Sequence, residues 1–194
     1  VSTVPTLASL WPAEALEAVR LLIFGGEACP PELAERLAVE GRVAYEPAVY
    51  GHVVDESGEG DVTVRSELDS APFVPRNVVL DTTFDWGDDA PPAHPRDSRV
   101  VYEAHVREVT RLLDGVPEYL RGTYAGMAHP VTIEHLQRLG VTTVELLPVH
   151  AFADEPHLVE LGLTNHWGYN TVGFFAPHAP YASDADPHGV LREI

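Results

Sequence analysis

Between Val100 and Val149 the hydrophobic pattern changes period twice. V-V-Y-E-A-H-V, Val100 to Val106, is a β-branched and aromatic run of the kind a buried strand uses. His129-Pro130 opens a helix signal: proline at a first helical position, Ile133, Leu136 and Leu139 three apart, and Gly140 as the stop. V-T-T-V-E-L-L-P-V, Val141 to Val149, returns to strand and is ended by Pro148. A strand, a long crossover with a helix and a second strand form the parallel-sheet unit. Beyond it N-H-W-G-Y-N-T-V-G-F-F-A-P-H-A-P-Y-A-S, Asn165 to Ser183, reads as a loop dense in aromatics.

The first 43 residues carry a different pattern. Trp11 to Val19 has helical spacing, Arg20 to Phe24 reads as a buried strand, and Gly25-Gly26 turns the chain. Pro30 to Ala38 is a helix with proline at its start and Gly41 near its stop. From Tyr45 to Arg99 periodic segments are short, and Asp, Pro and Gly abound. Asp55 to Asp61 is a turn or disordered tip, and Asp88 to Asp97 an extended Pro-rich connector into the strand at Val100.

Charge narrows the partners. The 194 residues include 30 acidic and 12 basic side chains, a formal net charge of -18. Nucleic acid and anionic membrane both need a basic face, so neither is an expected partner. All the basic residues are arginine, and the absence of lysine fits codon bias. The single cysteine, Cys29, excludes an internal disulfide and suits a reducing cytoplasm. No apolar run approaches the roughly 18 residues of a membrane span. Val1 in the place of Met is compatible with a processed start, an alternative start codon or an internal fragment.

Several linked words carry a family resemblance. Y-E-A-H-V at Tyr102, G-T-Y-A-G at Gly122, V-E-L-L-P-V-H at Val144 and W-G-Y-N-T-V-G-F-F-A-P at Trp167 stand in order. D-S-A-P-F-V-P-R at Asp69 and F-D-W-G-D-D at Phe84 precede them, and A-V-Y-G-H-V at Ala48 fits more loosely. Together, over about residues 45–183, they resemble the glycogen debranching enzymes of the isoamylase type, in the α-amylase superfamily of glycoside hydrolases. His166 departs from the aromatic residue expected at its place. Residues 1–42, with V-S-T-V-P-T-L-A-S-L and L-I-F-G-G-E-A-C-P-P-E-L-A-E-R-L-A, resemble instead an amino-acid adenylation domain of a nonribosomal peptide synthetase. That family's Asn-x-Tyr-Gly-Pro-Thr-Glu loop does not follow Arg42, and its adenylate-stabilising lysine has no counterpart. No G-x-x-x-x-G-K-[ST] surrounds Gly25-Gly26.

The debranching resemblance implies a fold and a chemistry. The expected fold is α/β: an incomplete (β/α)8 barrel, its first one or two βα units, after an irregular linker and a short αβ fragment. The expected divisions are 1–43, adenylation-like; 44–98, a linker following a largely missing β-sandwich; and 99–194, the start of the catalytic barrel. Retaining glycosidases need two carboxyl groups about 5–5.5 Å apart. In the family these sit on later barrel strands, and its D-x-x-x-N-H signature would fall just beyond Ile194. Asn165-His166 supplies an N-H pair, but Leu161 stands where the Asp belongs. No catalytic residue is therefore assigned, and the chain is expected to be a truncated, inactive form of an α-1,6-glucosidase of glycogen or limit dextrin.

Binding residues carry over better. In the resembled family the Tyr of W-G-Y stacks on the sugar at the cleavage subsite, which makes Tyr169 the first substrate-binding candidate. Trp167 is either a second platform or core support, and Asn170 is expected to stabilise the turn. Glu103 and His105 would share one side of the first strand by period two, more as a structural pair than an acid–base pair, and Glu145 is read likewise. His129 and His135, six apart, and His150 and His157, seven apart, miss the i, i+4 spacing of a helical metal motif. Neither metal nor cofactor is expected. The expected partner is α-glucan, glycogen or maltooligosaccharide, with self-association through uncovered strands. The rival readings are a fragment of an ATP-dependent adenylating synthetase and an inert fusion or glucan-binding fragment.

Overall fold

The computed structural model describes residues 2–3, 23–24, 37–55, 59–80 and 83–194. In chain order the strands are β1 (Ser2–Thr3), β2 (Ile23–Phe24), β3 (Leu37–Glu40), β4 (His52–Val54), β5 (Gly60–Arg65), β6 (Arg76–Val79), β7 (Val101–Ala104), β8 (Thr143–Leu146), β9 (His150–Phe152) and β10 (Thr171–Pro177). The α-helices are α1 (Val106–Val109), α2 (Tyr124–Met127), α3 (Pro130–Arg138), α4 (Pro156–Glu160) and α5 (Pro187–Glu193). This is an α/β mixture of small sheets and short helices. Among the described residues no helix is long and apolar enough to cross a membrane.

The chain divides into two units, residues 1–79 with 153–165, and residues 80–152 with 166–194. In the first, β1 pairs in parallel with β2, Ser2 opposite Ile23 and Thr3 opposite Phe24, within the strand expected at Arg20 to Phe24. The expected helix at Trp11 to Val19, the Gly25-Gly26 turn and Cys29 lie outside the described residues. Leu37 and Ala38, expected at the end of a helix, are instead in β3, opposite Val79 and Val78 of antiparallel β6. Long-range ladder bonds here override the local helical propensity. β4 and β5 are antiparallel, and Asp55 N–H donates to the Glu59 carbonyl at 2.8 Å; residues 56–58 of the expected tip lie outside the described residues. Asn165 ties α4's approach together, its backbone N–H on Asp154 Oδ1 at 2.7 Å and its Nδ2 on Glu155 Oε1 at 2.9 Å. The N-H pair that echoed a catalytic signature is thus half structural.

The second unit holds the parallel pair. Val101, Tyr102, Glu103 and Ala104 of β7 lie opposite Thr143, Val144, Glu145 and Leu146 of β8. Both strands are shorter than their apolar runs. Pro148 has no N–H to continue β8, although Leu147 N–H still donates to the Ala104 carbonyl at 2.9 Å. The two runs are text that suits a buried strand, and in this chain they were expected to be left uncovered; among the described residues each strand has one neighbour, and only Ala104 of the eight positions is buried.

The crossover contains the expected helix. Proline at its first turn, a His129 cap whose Nδ1 accepts from Val131 N–H at 3.3 Å, and Gly140 at φ +76° bound α3. Its buried positions are Thr132 and Leu136, with Ile133 and Leu139 exposed, rather than the three-apart stripe. Steps of three fall short of a turn by about 60°, so Ile133 and Leu139 diverge to either side of Leu136. Thr132, on the buried side, donates to the Gly126 carbonyl at 2.7 Å. The core gathers Val106, Tyr124, Phe152 and Tyr181, with Met127, Val149 and Ala182 against them. A groove of ≈ 380 Å³, lined by Val106, Ile133, Leu136, Val144 and Leu146 among others, opens between α3 and β8. The aromatic stretch expected as loop contains β10, antiparallel to β9; T-V-G-F-F is itself β-branched and aromatic text.

Candidate functional site

His105 begins the site. β7 ends at Ala104, so the two-residue period that placed Glu103 and His105 on one strand face stops one residue early. Glu103 stays exposed, whereas His105 is buried and caps α1, its Nδ1 accepting from Arg107 N–H at 3.2 Å. With Nδ1 an acceptor, the neutral ring carries its proton on Nε2. Nε2 lies 2.7 Å from the His166 carbonyl and donates to it, and the Tyr181 hydroxyl oxygen is 3.2 Å from the same nitrogen. The imidazoles of His105 and His166 stack with centroids 4.5 Å apart and planes at 4°. Trp167 stands edge-on to His166 at 5.0 Å.

Below this loop the core aromatics form its floor. Tyr124 points its hydroxyl at the carbonyls of Val149 (3.2 Å) and His178 (3.1 Å), and burial pushes its phenol well above the usual range. Burial also raises the Tyr181 phenol, against the opposing pull of the Arg107 guanidinium, 5.6 Å above its ring. Phe152 stacks on His178 with centroids 3.5 Å apart. Gly168 crosses over Phe152 at φ +79°, where a Cβ would lie 2.8 Å from the ring. The W-G-Y word therefore has a mechanical reading: glycine lets the backbone run against the floor, and its neighbours face outward. Trp167 is 58% exposed and Tyr169 74%.

His105, Glu108 and His166 could be read as a metal centre, since one ligand atom from each lies within 4.8 Å of the others. The hydrogen bonds of His105 argue otherwise. Both of its nitrogens are engaged, one as acceptor and one as donor, and a metal ion would displace a helix cap or a loop tie. The arrangement supports a loop. Sequence reading missed it because 61 residues separate the two histidines, beyond any local spacing rule. Glu103 and Glu145, also singled out, lie opposite each other across the β7–β8 ladder, both exposed.

No protein-family model matches the chain. Curated relatives do. The glycogen debranching enzyme of Erwinia tasmaniensis is 46% identical over 155 residues, 80% of this chain and 22% of the relative. That of Yersinia pseudotuberculosis is 46% identical over 157 residues, 81% of this chain and 22% of the relative. Over four fifths of its length this chain is similar to one segment of glycogen debranching enzymes. It spans about a fifth of the length of the curated relatives it matches. Among solved structures, apo pullulanase from Paenibacillus barengoltzii is similar with a TM-score of 0.50 and 26% identity, over 61% of this chain and 21% of that one. A pullulanase from Anoxybacillus sp. LM18-11 complexed with maltotetraose has a TM-score of 0.49 and 29% identity, over 61% of this chain and 19% of that one. These relatives give no support to the adenylation reading of residues 1–42.

Proposed function

We propose that this debranching-enzyme segment serves α-1,6-glucosidase action on glycogen or limit dextrin by presenting an aromatic platform to the glucan. The observation that carries the reading is the W-G-Y loop. Trp167 and Tyr169 stand exposed on either side of Gly168, over a floor of packed aromatics. An exposed ring held by a rigid support offers the C–H face of a pyranose an apolar surface at little entropic cost. The 46% identity to enzymes named for glycogen debranching supports that substrate class. The β7–α3–β8 unit fits the beginning of a (β/α)8 barrel, whose ligand loops follow the strands. Its uncovered strand faces and apolar groove are what such a unit presents before further βα units pack on it.

The chemistry of bond cleavage is a separate matter. Retaining hydrolysis needs a nucleophile and an acid/base about 5–5.5 Å apart, and these 194 residues contain no D-x-x-x-N-H word. The reading is therefore binding without turnover for this chain by itself. Titration with maltoheptaose tests it. Tyr169→Phe keeps the ring and should bind as the parent does, whereas Tyr169→Ala should bind more weakly by about fivefold or more, given the ~1 kcal/mol scale of an aromatic contact. Pullulan incubated with the same protein should release no reducing sugar. Equal affinity for the Ala variant would reduce Tyr169 to a packing residue.

A further inference from the structure

We infer that His105 is a positioning residue for the W-G-Y loop, acting through the backbone of His166; its consequence for glucan affinity rests on the function proposed above. The Nε2–H of His105 meets the His166 carbonyl at 2.7 Å, immediately before Trp167, and joins the end of β7 to a loop 61 residues away. The donor is aimed from both sides. Nδ1 is held by the Arg107 N–H, which fixes tautomer and ring plane. The ring itself is buried, stacked on His166 and edge-on to Tyr181 at 5.6 Å. A buried donor with a fixed direction sets where one peptide plane must lie. Trp167 follows that plane directly, and Gly168, at φ +79°, transmits it to Tyr169. His105 touches no sugar in this scheme; it decides where the rings that do so stand.

Two substitutions separate the two nitrogens. Asn at 105 offers an acceptor near the Nδ1 position and is a good helix cap, but it is too short to reach the His166 carbonyl. Gln places an amide N–H near the Nε2 position and restores the tie without the cap. The full chain labelled with 5-fluorotryptophan gives three fluorine resonances, for Trp11, Trp86 and Trp167, the last assigned by its loss in Trp167→Phe. His105→Asn should move the Trp167 resonance alone, and His105→Gln should leave it near the parent position. Maltoheptaose affinity should fall about fivefold in the Asn variant, the factor one neutral hydrogen bond carries, and be largely restored in Gln. A Trp167 resonance that ignores the Asn change, or moves equally in both variants, would overturn the inference. If all three resonances move because the variant unfolds, the histidine ¹⁵N spectrum of the parent decides. A proton on Nε2 of His105 supports the tie, and one on Nδ1 refutes it. Failure of the parent chain to bind maltoheptaose would defeat the function proposed above, while the fluorine result would still judge His105.

Discussion

Replacing Gly168 by alanine should cost more than replacing Gly140, although both have positive φ. Gly140 is at φ +76° with nothing within 4 Å of an added Cβ, so only the backbone penalty applies. For an L-residue in the left-handed region that penalty is about 1–2 kcal/mol. Gly168 has nearly the same φ, +79°, but its Cβ would sit 2.8 and 2.9 Å from Phe152 ring carbons and 3.1 Å from Pro148 Cβ. Phe152 has little room to retreat, because it is stacked on His178 at 3.5 Å and edge-on to Tyr181 at 5.9 Å. Overpacking of this kind adds about 1–3 kcal/mol, for about 2–5 kcal/mol in all. Urea unfolding followed by circular dichroism measures the difference. With a slope of about 1–3 kcal/mol per molar urea, the Gly168 variant should unfold roughly 1 M below the Gly140 variant. Equal midpoints would show that Phe152 yields and that the aromatic floor does not define the loop.

Glu193 gives a pH-dependent prediction. Desolvation pushes its carboxyl up, but hydrogen bonds from the backbone of Ser183, Ala125 and Asp184 and from the Ser183 hydroxyl outweigh it, so the folded value lies below the ordinary 4.5. Stability from this latch is therefore complete above pH 4.5 and lost as pH falls through the folded value. Thermal melts should find the parent more stable than Glu193→Gln near neutrality by a modest margin, since the group is partly solvated, with the two curves converging in acid; a gap that widens in acid contradicts the sign. The uncovered faces of β7 and β8 should promote self-association, against the solubilising charge of -18. A concentration-independent monomer in size-exclusion chromatography would count against it.

Elements with strong local signals were legible. The α3 helix shows its proline start and glycine stop in the text, and Val101–Ala104 and Thr143–Leu146 lie inside the two apolar runs. Reading failed where pairing partners are remote. Nothing local to Leu37 and Ala38 announces that Val78 and Val79 will pull them into a strand. The aromatics of T-V-G-F-F stand in a stretch that reads as loop, although β-branched and aromatic residues equally suit the strand they form. Burial divides in the same way. Apolar runs report that a strand can be covered, and the covering itself depends on other segments.

The site shows a finer version of the same division. W-G-Y was visible as a word, yet the property that makes it a platform, glycine at φ +79° against Phe152, joins residues 16 positions apart. His105 was visible too, but by period two it belonged beside Glu103. One residue of difference in the end of β7 turned a strand side chain into a helix cap, and the cap set the tautomer that lets Nε2 reach His166. By sequence His166 is a departure from the aromatic expected at its place. In the fold that departure still presents a flat ring, stacked at 4.5 Å on His105, so the histidine keeps the shape of an aromatic against the buried imidazole. The loop that carries Trp167 and Tyr169 is thereby tied, at the residue before Trp167, to the end of β7 by one hydrogen bond and one ring stack.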